Sequence, residues 1–274
     1  MGNKQAINGG DHSTNIQGNE VIINQQNGIS LSDIRHIAMD VFKSNFYDLG
    51  ITATEIASKR AEEIINEYLK SLQNMSPMYV QNTQDPDIRY SLFEIQKSYA
   101  RQGEKNKAEL LVDLLVERTK ILKNSFETIV INEALETVPK LTFEHLNILS
   151  LIFIVKHIYL EDNPPFQVYY DKFYDKFLDF VDIPQGLMFY EHLKYCWCVT
   201  EGENNEKLQM LIEHFNDGPI FANYPKLVKL SKSWDVSSIS HCSLSTVGVA
   251  LAISNLKMRL GIGDILKLNQ YLMD

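Results

Sequence analysis

Four side chains suited to soft metals lie in the second half of the chain: Cys196, Cys198, His241 and Cys242. A structural zinc site draws its ligands from two separated pairs, usually with a gap of two to four residues inside each. Here the first pair is Cys-Trp-Cys and the second is adjacent in sequence. A helix expected over Leu187–Val199 would also turn Cys196 and Cys198 to different sides. The cluster therefore reads as buried structural thiols, and neither a metal nor another cofactor is expected. Glu109, Asp113 and Glu117 stand at i, i+4 and i+8 on one helix face. Three carboxylates so placed could hold a hard cation or act as acid and base. With Arg118 and Lys120 beside them they read first as a solvated stripe. His36 and Asp40 are one turn apart and could orient each other as a base and its partner. No Gly-x-Ser-x-Gly elbow, HExxH, Walker loop or GxGxxG accompanies them. His157, and His192 beside Glu191, are similar orphans, and Gly261-Ile262-Gly263 lacks the third glycine and the preceding strand of a dinucleotide loop. No catalytic residue is assigned, and a metal-dependent hydrolase or nuclease stands as an alternative reading.

The charge balance argues against nucleic acid as a partner. Thirty-five acids against 26 bases leave a net charge of −9, whereas phosphate binding needs a basic footprint. One stretch runs the other way: Lys226, Lys229, Lys232, Lys257 and Arg259 face only Asp235 between Tyr224 and Arg259. It motivates a further alternative, a winged-helix reader with Ser245–Leu260 as its helix and ILKLNQYL as its wing. An odd count of three cysteines fits a reducing cytosol better than secretion. MGNKQAIN has no apolar signal core, and Ala6 stands where a myristoylation site wants Ser or Thr. The longest apolar stretch, Ile148–Val155, broken only by Ser150, is far short of the ~20 residues of a membrane span.

These side chains must be positioned by helices. Ile34, Ile37, Ala38, Val41, Phe42 and Phe46 recur at helical steps after Ser30, with Asp33 placed for a capping box. Thr52 with Glu55 reads as the start of a second helix, to about Leu72, and Gln73–Thr83 as a loop. Asp85-Pro86 opens the next helix, which Gly103 closes. Lys107–Leu122, Ser125–Val138 and the apolar segment from Thr142 to Ile158 follow. The aromatic stripe Phe166, Tyr169, Tyr170, Phe173, Tyr174, Phe177 and Phe180 reads as core. Later helices are expected over Leu187–Val199, Glu206–Phe215, near Pro225, and over Ser245–Leu260, and ILKLNQYL as a closing strand.

The first 28 residues differ from all of this, being rich in Asn, Gly and Gln and free of aromatic residues. Gly18-Asn19 between Ile16 and Val21-Ile22-Ile23 reads as a tight hairpin turn. An isolated two-stranded hairpin is marginal in water, so this arm needs a partner surface or a copy of itself. Low-charge segments rich in amides also stack in register. Ile16, Gln17, Gly18, Asn19, Val21 and Ile23 are the candidate self-association residues.

The segments HSTNIQGNEVIIN, SLSDIRHIAMDVFKSNF, DPDIRYSLFEIQKSYARQG, LLVDLLVERT, INEALETVPKLTFEHLNILSLIF, YEHLKYCWC and LSTVGVALAISN together resemble an uncharacterised family of bacterial helical proteins known mainly by locus-tag names. The resemblance implies a bacterial cytoplasmic protein with one architecture and no activity to carry over. An Asn/Gly/Gln-rich arm ahead of a helical body also looks like components of phage-defence islands. The expectation is an all-α multi-helix bundle with a short N-terminal β-hairpin or β-arm: arm 1–28, helical layer 29–138, second layer 139–274. Its expected function is non-enzymatic self-assembly into a homo-oligomer, in a bacterial defence or stress system, with protein rather than nucleic acid or membrane as partner.

Overall fold

Five helix starts among the described residues, those of the first, fourth, sixth, seventh and thirteenth helices, are built from side-chain caps. The computed structural model describes residues 28–45, 50–73, 75–121, 125–158, 165–202, 207–213 and 221–272. α1 (Leu31–Asn45) opens on a reciprocal cap, with the Ser30 amide donating to Asp33 Oδ2 at 3.0 Å and the Asp33 amide to Ser30 Oγ at 3.1 Å. Two donors that a helix start leaves bare are thereby satisfied. α2 (Ile51–Gln73) begins directly after Gly50, whose φ of +81° suits glycine alone. Thr52 thus lies inside its first turn and Glu55 beyond it, rather than the two capping it. The segment expected as a loop over Gln73–Thr83 contains α3 (Pro77–Asn82), where Pro77 takes a first-turn place that needs no N–H. At α4 (Pro86–Gln102) the Asp85 carboxylate accepts from the Asp87 and Ile88 amides at 2.9 and 3.4 Å, and Gly103 closes the helix in the left-handed region. α5 (Lys105–Lys120), α6 (Phe126–Thr137) and α7 (Phe143–Lys156) follow, the last two opened by capping boxes at Ser125/Thr128 and Thr142/His145.

Two helices form the centre. Every residue of α7 from His145 to Val155 is buried, as is every residue of α13 (Thr246–Leu260) from Val247 to Leu256. Helices apolar all round belong inside a core. Contacts run from Arg259 over Phe143, through Asn255 with Asn147 and Ser150 with Ala252, to Lys156 with Ser240 and Cys242. The pair is therefore antiparallel. Asn255 Nδ2 donates to Asn147 Oδ1 at 3.2 Å and Ser150 Oγ at 2.9 Å, a polar bridge inside the apolar layer. One hydrophobic core continues from Ile34 in α1 to Leu266 near the C-terminus. A smaller cluster of Phe42, Ala57, Ala61 and Ala100 joins α1, α2 and α4. Each large side chain so buried contributes ~1.5–3 kcal/mol.

The aromatic stripe runs through α8 (Phe166–Tyr169), a π-helical turn Tyr170–Tyr174, α9 (Asp175–Phe177) and a 3-10 turn Leu178–Phe180. Its rings are buried up to Phe177, whereas Phe180 is exposed. α10 (Leu187–Tyr195) stops short of the expected Val199, and Val199 instead begins a strand, β1 (Val199–Glu201). β1 pairs antiparallel with β2 (Cys242–Leu244), placing Val199 opposite Leu244 and Glu201 opposite Cys242. α11 (Leu208–Glu213) and α12 (Pro225–Trp234) lie between the two strands in sequence. ILKLNQYL does not form the expected strand: a 3-10 turn Gly263–Ile265 leads to α14 (Leu268–Tyr271). There the Tyr271 ring packs edge-on against Phe153 at 4.9 Å, so core packing outweighs the alternating pattern. The described residues form an all-α bundle with one small sheet, and the β-arm expected over 1–28 lies almost wholly outside them. Among the described residues no helix is long and apolar enough to cross a membrane.

Candidate functional site

The carboxylate stripe of α5 does not point one way. Glu109 and Asp113 line a cleft of about 670 Å³ with Glu63, Glu67 and Tyr99. Tyr99 OH donates to Glu63 at 3.2 Å. Asp113 also faces α13, where Ser254 Oγ donates to its Oδ2 at 2.6 Å. Burial raises the Asp113 pKa, against the pull of Lys257 and that hydrogen bond. Glu117 meets Lys120 at 3.0 Å and Lys257 at 3.1 Å. Two of the three acids therefore tie α5 to α13. Among the described residues no three His, Cys, Asp or Glu side chains converge as ligands to a metal ion. His36 and Asp40 are both exposed on α1, away from its buried Ile34, Ala38 and Phe42.

The thiols separate as well. Cys198 Sγ donates to the Cys196 carbonyl at 3.6 Å and Cys242 Sγ to the Ser238 carbonyl at 3.3 Å, while His241 is exposed. Burial pushes the Cys198 thiol up to about 12 and the Cys242 thiol up to about 11, which leaves both poor nucleophiles. Cys196 Sγ lies 3.6 Å from His192 Nε2, whose hydrogen is given to the Lys140 carbonyl at 2.9 Å. That ring nitrogen is a donor and cannot take the thiol proton.

The end of α10 carries a feature that spacing did not reveal. Trp197 N donates to the Lys194 carbonyl at 2.9 Å and Cys198 N to the Leu193 carbonyl at 3.0 Å. This is a Schellman closure, whose left-handed position is usually glycine. Trp197 occupies it with a φ of +56°. Ser245 holds the arrangement from the other side, its Oγ donating to the Trp197 carbonyl and its amide to the Cys198 carbonyl. A Cβ on Gly248 would stand 2.0 Å from that same Cys198 oxygen. Tyr195 and Trp197 are left 78% and 77% exposed, beside an open cleft that also includes Lys140, His192 and Thr246.

The basic stretch is dispersed. Lys226 pairs with Asp175 at 3.0 Å and Asp179 at 2.9 Å. Lys257 pairs with Glu117, and the Arg259 guanidinium lies over the Phe143 and Phe180 rings at 5.1 and 5.3 Å. With α14 in place of a wing, no continuous basic face forms from these residues.

A different surface lies at the root of the arm. Between α1 and α4 runs an apolar groove of about 220 Å³, whose walls include Ile29, Ile37, Val41, Leu92 and Phe93. Val41, expected in the core, is 40% exposed on its rim because α1 turns only Ile34, Ala38 and Phe42 fully inward. Ile51 and Ile56 on α2 are 82% and 47% exposed. The candidate self-association residues Ile16, Gln17, Gly18, Asn19, Val21 and Ile23 lie outside the described residues.

The profile of an uncharacterised family known by a locus-tag name matches residues 28–218, from the start of the helical body to the segment ahead of α12. Comparison with curated proteins and with solved structures finds no match.

Proposed function

We propose that the chain, which belongs to this uncharacterised family, is a non-enzymatic helical assembly protein that self-associates through its arm and the α1–α2 pair. The observation that carries this reading is the apolar surface at the arm's root. The open groove has one wall on α1, the helix that directly follows the arm, and Val41 on α1 and Ile51 and Ile56 on α2 are exposed. An exposed apolar groove marks an interaction site. The arm brings Ile16, Val21, Ile22 and Ile23, which a lone hairpin cannot bury. Each element has apolar surface that the other can cover. Asp113 and Glu117, by contrast, hold α5 to α13, and the thiols are buried in local contacts. In this reading the protein acts in the cytoplasm of a bacterium, as a component of a defence or stress system.

Removing residues 1–28 tests the proposal. Light scattering of the whole chain is expected to give a mass above one copy, and the shortened chain a single copy. An unchanged oligomeric state removes the arm from the mechanism.

A further inference from the structure

We propose that the segment Val21–Ile23 of one copy lies along the α1–α4 groove of a second copy, an assignment that rests on the self-association reading above. The dimensions agree. From Ile34 to Val41 the groove follows α1 for roughly 10 Å at 1.5 Å per residue, and three extended residues span about the same length. A cavity of ~150 Å³ lined by carbon takes up a benzene ring, so about 220 Å³ accommodates one large aliphatic side chain and part of the next. Charge agrees too. Arg89 lines the groove with its Nε held by the Thr83 carbonyl at 3.2 Å, and Glu20 directly precedes Val21.

The attachment of the arm favours a neighbouring copy as its source. The Ile29 amide donates to Gln81 Oε1 at 3.3 Å, and a Cβ on Gly28 would stand 2.3 Å from the Gln81 amide nitrogen. The chain is thus fixed where it enters α1, and Ile29 already fills part of the groove wall. To reach its own groove, the arm would have to reverse against that anchor within Asn24–Gly28. An arm arriving from a second copy meets no such constraint, and its exchange for solvent buries apolar surface on both sides.

Copies carrying Ile22→Cys, mixed under mild oxidation with copies carrying Val41→Cys, are expected to give a disulfide-linked pair of chains. In the whole chain, Val41→Glu, at an exposed position that suits Glu in a helix, is expected to weaken association at least about tenfold. If removing the arm gives single copies while Val41→Glu leaves the mass unchanged, the groove is overturned as the seat and self-association stands. A link that forms only when both cysteines are on one chain overturns the second-copy assignment. A whole chain that is a single copy at every concentration overturns both readings.

Discussion

Trp197 shows how much a single position can hide. A bulky residue in the left-handed region costs ~1–2 kcal/mol over glycine, yet here its side chain is largely in solvent and returns little burial. Trp197→Gly is therefore expected to raise stability by about 0.5–1 kcal/mol in urea unfolding, once glycine's own chain entropy is allowed for. A loss of stability would mean that the indole makes a contact worth more than the strain. Nothing in the order Cys-Trp-Cys announces this: helix C-termini are recognised by glycine, and Trp197 takes glycine's place because Ser245 and Gly248 close around the backbone. Asn255 is a similar case. It stands with Ser254 as a polar pair in the apolar stretch of α13, and the facing Asn147 and Ser150 explain it.

Helix α7 carries a pH dependence in its first turn. The Thr142 amide donates to His145 Nδ1 at 3.0 Å, so histidine fills the capping-box place usually held by Glu or Gln. The bond requires an unprotonated nitrogen. Burial, with His192 and Lys107 nearby, pulls the His145 pKa down to about 4. The unfolded chain therefore takes up this proton first. Stability is full above about 6.5, declines as pH falls towards about 4, and is flat below. The decline is expected to reach roughly 3 kcal/mol, to which His157, also lowered by burial, adds in the same direction. His145→Gln keeps a capping acceptor and removes a titrating group, so its urea midpoint should vary less between pH 7 and pH 4.5. An unaltered pH profile would show that His145 takes up its proton equally readily in the folded and unfolded chain. Thr142 and Asp85 were legible as helix starts because capping is local. The early end of α10 was not, since Val199 leaves the helix to pair with Leu244, forty-five positions away.

At the scale of the molecule, the continuous core has a measurable consequence. Residues from Ile34 to Leu266 share one apolar cluster, and Asp87 of α4 bonds both Arg118 of α5 and Asn132 of α6. Helices so joined should unfold together. Far-UV circular dichroism, which reports all helices, and the fluorescence of the buried Trp234 are expected to follow the same urea transition. Two separate midpoints would show that the halves 29–138 and 139–274 fold apart.

Helical periodicity, caps and apolar runs were enough to establish an all-α body, its buried α7 and its aromatic stripe, because those signals act within a few residues. Side-chain convergence lies beyond such signals. Glu109, Asp113 and Glu117 share a helix face in sequence, but α13 draws Asp113 and Glu117 into its own contacts. Val41 fits the apolar stripe of α1, but the spacing between α1 and α4 leaves it on the rim of an open groove. Whether a side chain becomes core, brace or docking surface depends on which neighbour reaches it first, and that is a property of packing.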